Sequence, residues 1–174
     1  MLNFYKPGVR YVFFVMMRHS FRTGFSFGLT SAVITTLGLM VGLNSGTHSK
    51  FVVIGGILTI AVADALSDAL GIHVSEEAED RHTTREIWES TLATFLSKFV
   101  FALTFVIPFL LLSLSVAVVV NIFWGLFLLG IFSFQIAREQ KRDPWRIVVE
   151  HVVIALVVII IAHYVGVWIS LTFC

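Results

Sequence analysis

Phe99–Ala137 reads FVFALTFVIPFLLLSLSVAVVVNIFWGLFLLGIFSFQIA, 39 residues without a single Lys, Arg, Asp or Glu. A hydrocarbon core of about 30 Å is crossed by about 20 helical residues at 1.5 Å each. As one helix this run would be about 58 Å long, nearly two bilayer cores, so it predicts a hairpin of two spans. The turn is expected at Leu112–Val116, inside LLLSLSV. Pro108 lies one turn earlier and predicts a kink in the first arm, or its end.

Outward from this hairpin, Thr23–Ser49 and His151–Cys174 are charge-free over 27 and 24 residues, one span each. Phe51–His73, FVVIGGILTIAVADALSDALGIH, has the length and apolarity of a span but carries Asp64 and Asp68. The expectation is an all-α integral membrane protein with five spans, at 25–44, 51–73, 90–112, 116–137 and 150–171. The 174 residues allow one domain. With 57% hydrophobic and 13% charged residues, a soluble helical core of this size would lack polar surface. The partner is therefore a lipid bilayer, and the expected location is the cell membrane as a multi-pass protein. A net charge of +1 lacks the basic excess of a nucleic-acid binder, so no nucleic-acid partner is expected. The one cysteine, Cys174, excludes an intrachain disulfide.

Residues 1–24 form a distinct leader ahead of the transmembrane domain at 25–174. Lys6, Arg10, Arg18 and Arg22 recur at multiples of four with Phe and Met between them. This pattern suits a basic helix lying in the interface. It equally suits a frayed leader whose charges only set topology. The apolar stretch is short for a signal sequence and no small-residue cleavage site follows it.

The positive-inside rule orients the chain. Eleven basic residues fall on one side: the four of the leader, then Arg81, Arg85 and Lys98 after span two, then Arg138, Lys141, Arg142 and Arg146 after span four. Lys50 alone falls on the other. The N-terminus is expected to be cytoplasmic and the C-terminus external, which requires an odd number of spans. Five spans do not divide into equal inverted halves. A path between subunits of a homodimer would supply the missing symmetry.

Asp64 and Asp68 are four apart and share a helix face near mid-membrane. A carboxylate there costs at least about 2.5–3.5 kcal/mol on insertion scales. With Lys98 counted among the loop charges, no Lys or Arg lies in another span core. The neutralising partner is then a proton or a metal ion. Paired carboxylates suit a hard divalent cation, and their coupled titration suits exchange of metal for protons. The bland alternative is a protonated pair hydrogen-bonded to Ser or Thr that holds the bundle together.

Span one offers neighbours in Thr30, Ser31, Thr35 and Thr36, and its glycines fall in two runs spaced by four, 24 and 28, then 38, 42 and 46, the pattern of close helix approach. Gly55-Gly56 thins span two in the same way. The acidic stretch at 74–89, with His73 before it, places His73, Glu76 or Glu77 and Asp80 on one face, and His82, Glu86 and Glu89 on another. Glu76, Glu79, Asp80 and Glu86 are candidate ligands for divalent-cation capture; a solvated face is the alternative. Thr83 with Glu86 three residues on reads as a capping box. Ser90, Thr94, Ser97, Phe101, Thr104 and Pro108 form a stripe suited to an interhelical face. Glu150 and His151 are expected to open span five, and His163 lies within it. No Walker loop, dinucleotide fingerprint, HExxH or nucleophile elbow occurs. No enzyme activity and no cofactor is expected.

FGLTSAVITTLGLMVGLNSG at Phe27–Gly46 and GGILTIAVADALSDALGIHVSEEAE at Gly55–Glu79, with five spans and a cytoplasmic N-terminus, resemble the vacuolar iron transporter family. The resemblance implies a dimer that moves Fe²⁺ or Mn²⁺ out of the cytosol in exchange for protons, along a path at the subunit interface. Phe27 stands where the family has its first-span Asp, Ile60 where it has a Glu, and Asp68 where it has a Met ligand. Asp64 stands where it tends to have Gly. The cytoplasmic metal-binding domain is reduced to His73–Glu89. The implied function is a proton-coupled divalent-cation transporter, with preference moved toward harder ions such as Mn²⁺ or Mg²⁺. The alternatives are a non-transporting scaffold or regulator that keeps the fold, and a carrier of another cation such as Na⁺ or Mg²⁺.

Overall fold

A computed structural model of the chain describes residues 19–173. The predicted leader falls largely on residues 1–18, so Lys6, Arg10 and Arg18 lie outside the described residues. Six helices follow in order: α1 His19–Thr47, α2 Lys50–Glu79, α3 Thr84–Thr104, α4 Val106–Leu111, α5 Leu114–Glu139 and α6 Pro144–Phe173. With α3 and α4 together forming one crossing, five segments are long and apolar enough to span a bilayer. Large apolar side chains such as Leu66, Phe123, Ile161 and Leu171 stay exposed on their outer faces. Hydrocarbon is the solvent that accepts them. The protein is an all-α, multi-pass membrane protein.

Local chemistry sets the helix ends. Ser49 caps α2 by accepting from the Val52 N–H, and Asp80 closes it in the left-handed conformation. Thr83 and Glu86 form the expected capping box at the start of α3. This leaves four residues, 80–83, between two long helices. At α6, Pro144 takes the first helical position, where its missing N–H costs nothing. The Trp145 N–H is taken by Asp143 Oδ1 at 3.1 Å. The helix therefore begins six residues before the expected span, and Glu150 and His151 lie inside it rather than opening it.

The break before Pro108 falls at Phe105, between α3 and α4. Proline cannot donate to Thr104, four residues back, and its ring crowds that carbonyl. The Phe105 carbonyl is taken by Asn121 Nδ2 of α5 at 2.9 Å. Asn121 is thus the polar peg that lets the hairpin carry a helix break inside the bundle. The turn follows at Leu112–Ser113, and Lys50 Nζ reaches the Leu112 carbonyl at 2.9 Å.

The α1 helix is the hub. It packs most extensively on α3, then on α6, and also contacts α2 and α5. It is the most enclosed span and α6 the least. The core gathers Leu29, Val33, Leu37 and Met40 of α1 with Ile57, Phe105, Phe109 and Leu129. The two glycine series of α1 serve different partners. A Cβ on Gly24 would fall on the Ser90 backbone of α3, and one on Gly28 on Thr94 and Ser97. A Cβ on Gly42 or Gly46 would instead meet the carbonyls of Ala162 and Gly166 on α6, each at 3.3 Å. Arg22 joins α1 to Glu139 of α5 at 3.1 Å. This marks the end of the bundle that also holds residues 80–83, here called the near end.

Candidate functional site

Midway along the bundle four polar side chains from three helices meet. Lys98 stands at the midpoint of Thr84–Leu111 and Asp64 at the midpoint of Lys50–Glu79. Asp68 follows Asp64 by one turn, and Ser31 comes from α1. Lys98 Nζ lies 2.6 Å from Asp64 Oδ2 and 2.9 Å from Ser31 Oγ, and it also donates to Asp68 Oδ2. Ser31 Oγ donates to that same Asp68 oxygen at 2.6 Å. Lys98, Ser31 and Asp68 therefore close a ring of hydrogen bonds. Asp64 Oδ2 is near enough to Nζ for strong attraction but outside hydrogen-bond geometry.

Local sequence explains the meeting. Ser90, Thr94, Ser97 and Lys98 recur at helical spacing on the buried face of α3. Gly24 and Gly28 let the α3 backbone approach α1 closely, and Thr94 Oγ1 donates to the Gly24 carbonyl at 3.2 Å. On α2, Ala61, Ala65 and Ala69 form the buried stripe beside the two aspartates. Their small side chains leave room for the lysine stem. Lys98 is only 1% exposed, whereas Asp64 and Asp68 keep 31% and 21% of their side chains exposed.

This overturns one expectation. Lys98 is not a loop charge at the membrane edge, and an intramembrane ion pair is present. The positive-inside count loses one residue by this correction. Residue 98 already falls within the expected span at 90–112, and the Thr83–Glu86 cap begins α3 earlier still, at Thr84, which carries Lys98 about four turns in. A lysine beside an apolar run ordinarily snorkels to the interface; two carboxylates at the same depth hold this one inside.

With both carboxylates ionised the cluster carries one excess negative charge. Burying such a group is tolerable only with close partners and satisfied hydrogen bonds. Ser31 supplies one such bond, and the partial exposure of the aspartates leaves a face of the cluster open.

The remaining predicted ligands are not drawn to this point. Glu76 continues the buried stripe of α2, about two turns beyond Asp68. It is 8% exposed, with Oε2 accepting from Ser90 Oγ at 2.5 Å. His73 turns to Thr91, with Nδ1 3.0 Å from Oγ1, and packs edge-on against Trp88. Glu79 and Asp80 are exposed at the near end, and Glu79 sits 3.9 Å from His82. Glu86 serves the capping box, accepting from the Thr83 N–H and hydroxyl at 2.8 Å each. Among the described residues no three His, Cys, Asp or Glu side chains converge as a metal-binding group. The two expected near-end faces are thus dispersed: Glu76 and His73 turn inward, while Asp80 closes a helix.

At the opposite end a cavity of roughly 590 Å³ lies between α1, α5 and α6, lined by apolar side chains with Asn44, Ser45, His48, His163 and Tyr164. His163 Nδ1 is 2.7 Å from Ser45 Oγ. The hydroxyl partner accounts for a histidine inside an apolar helix without a metal.

The cluster was half legible. Asp64, Asp68 and the hydroxyls of span one are visible in the sequence; Lys98 is not, once assigned to a loop. The signal that would have found it is the expected span itself, because 90–112 already contains residue 98, and the capping box puts the helix start earlier still, at Thr84. No family model, curated protein or solved structure matches the chain.

Proposed function

We propose that the protein is a cation carrier of the membrane, with Asp64 and Asp68 as the exchange site and protons as the coupled ion. The observation that supports it most is the ammonium of Lys98 enclosed at mid-span by oxygens from two other helices. Ionisable groups at this depth are costly and typically mark ion pathways. The donors are carboxylate and hydroxyl oxygens, which suit hard cations such as Mn²⁺ or Mg²⁺ more than soft ones. The resemblance to vacuolar iron transporters points to the same class of cargo, divalent metal leaving the cytosol. In that orientation the near end faces the cytoplasm, and the exposed Glu79 and Asp80 attract the cation there.

The carrier works as a homodimer in this reading. Gly55, Thr59, Ala63, Ser67 and Gly71 of α2 repeat every fourth residue and are all exposed. A Cβ on Gly55 or Gly71 would meet nothing within 4 Å. This stripe runs beside Asp64 and Asp68, so a second copy packed on it would cover carboxylates otherwise open to lipid.

The test is flux in proteoliposomes holding the full chain, with Mn²⁺, Fe²⁺, Mg²⁺ and Na⁺ offered separately, with and without a pH gradient. Uptake driven by the gradient and lost in Asp64→Asn/Asp68→Asn is expected. A folded wild-type protein that moves none of them sinks the reading.

One observation favours a second reading, a non-transporting scaffold: Lys98 satisfies the aspartates as a static clamp on α1, α2 and α3. A Lys98→Met/Asp64→Asn/Asp68→Asn variant that folds as well as wild type and changes no flux would favour it.

A further inference from the structure

We infer that Lys98 is a tethered competitor for the cation: its ammonium occupies the place of the cargo, and a cation enters only as Lys98 leaves. This rests on the carrier reading above and names how that site is regulated. The geometry carries it. Nζ is held by Asp64 Oδ2 at 2.6 Å, by Ser31 Oγ at 2.9 Å and by Asp68 Oδ2. A small hard cation would need the same oxygens. Among the described residues the charged groups facing Lys98 are Asp64 and Asp68, both on α2, and α1 contributes only the Ser31 hydroxyl. A second cation admitted beside the ammonium would sit a few ångströms from a like charge, in surroundings where such repulsion is poorly screened. Occupation is therefore exclusive.

The lysine is built for this exchange. Its ammonium is a compact charge on a flexible four-carbon stem, and the buried residues of α2 on either side of the aspartates are the alanines 61, 65 and 69. Asp68 Oδ2 already accepts from both Ser31 and Lys98, so displacing Lys98 frees an acceptor that Ser31 keeps in position. Exclusive occupation also sets selectivity. A divalent cation attracts the carboxylates twice as strongly as the ammonium does, whereas a monovalent one has no such advantage. The ligand class is thus a hard divalent cation, with Na⁺ disfavoured.

Mn²⁺ binding to the detergent-solubilised full chain, read from the electron paramagnetic resonance signal of free Mn²⁺, tests this. Lys98→Met is expected to tighten binding at least tenfold. Lys98→Arg, whose guanidinium grips two carboxylates more firmly, is expected to weaken it at least tenfold. Asp64→Asn/Asp68→Asn should abolish it, which locates the ion. A folded Lys98→Met protein that binds no more tightly than wild type overturns the inference. So does an unaltered Lys98→Arg protein, as expected of a lysine that only holds helices together. Where Lys98→Met does not fold, Asp64→Asn is compared with Asp64→Asn/Lys98→Met, which restores the net charge of the wild-type cluster. Tighter binding in the double variant supports competition, and equal or weaker binding overturns it. Wild-type flux that persists unchanged in Lys98→Arg removes the competitor and keeps the carrier. Absence of both flux and Mn²⁺ binding in every folded variant removes both.

Discussion

The two glycine series on α1 use one device against partners of opposite character. Gly24 and Gly28 admit the α3 backbone, and the hydroxyls of Ser90, Thr94 and Ser97 line that contact until it reaches Lys98 and the aspartates. Gly42 and Gly46 admit α6 through Ala162 and Gly166, and the polar content there is Ser45 with His163. A small-residue repeat reports that two backbones come close. What chemistry the approach serves depends on the side chains that the other helix brings.

The contrast sets the scale of the effects expected in each contact. The largest belongs to Lys98→Met, which leaves two half-buried carboxylates without their fully buried cation. Breaking a buried pair from one side costs about 3–5 kcal/mol, read as a fall in the thermal midpoint of the solubilised protein. Adding Asp64→Asn and Asp68→Asn should restore most of it. Failure to recover would mean that the lysine stem, not its charge, holds α3 in place.

Next come the glycines. Gly28→Ala puts a methyl onto the Thr94 carbonyl and Ser97 Oγ, and overpacking of that kind costs about 1–3 kcal/mol. Gly42→Ala meets the Ala162 carbonyl at 3.3 Å, where a shift of a few tenths of an ångström suffices, so the loss should stay under about 1 kcal/mol. Equal losses in thermal unfolding would show that both contacts are equally tight. Of similar size is Ser45→Ala, which removes the hydroxyl partner of His163; about 1 kcal/mol is expected in the same assay. Smallest is Arg85→Ala at the near end, where the guanidinium pairs with Glu89 at 2.9 Å but is 74% exposed. A change within about 0.5 kcal/mol is expected.

Much of the architecture was legible because it depends on single helices. Charge-free runs count spans, since hydrocarbon penalises charge wherever the neighbours lie. The Thr83–Glu86 box and the turn at Leu112–Ser113 are local too, written in residues three or four apart. The break was misplaced slightly, at Pro108 rather than Phe105, because proline disturbs the turn before itself. Asn121 as the peg that tolerates this break was not legible, because its partner lies on the other arm of the hairpin.

The near end shows the limit of periodicity. His73, Glu76 and Asp80 do lie at helical spacing, yet Glu76 is buried against Ser90 while Asp80 ends the helix in a left-handed turn. Spacing states which residues share a face. It is silent on whether that face meets water or a neighbouring helix.

Composition and charge placement, then, dictated a membrane protein of five spans, with two aspartates at mid-depth in the second and close approaches along the first. These follow from the bilayer as solvent and from the 1.5 Å rise of a helix. Which glycines meet α3 and which meet α6, and that Lys98 pairs with the aspartates at mid-span, came from the packed bundle. The rotation of each helix about its axis is set by all its neighbours at once, and no repeat within one helix encodes it.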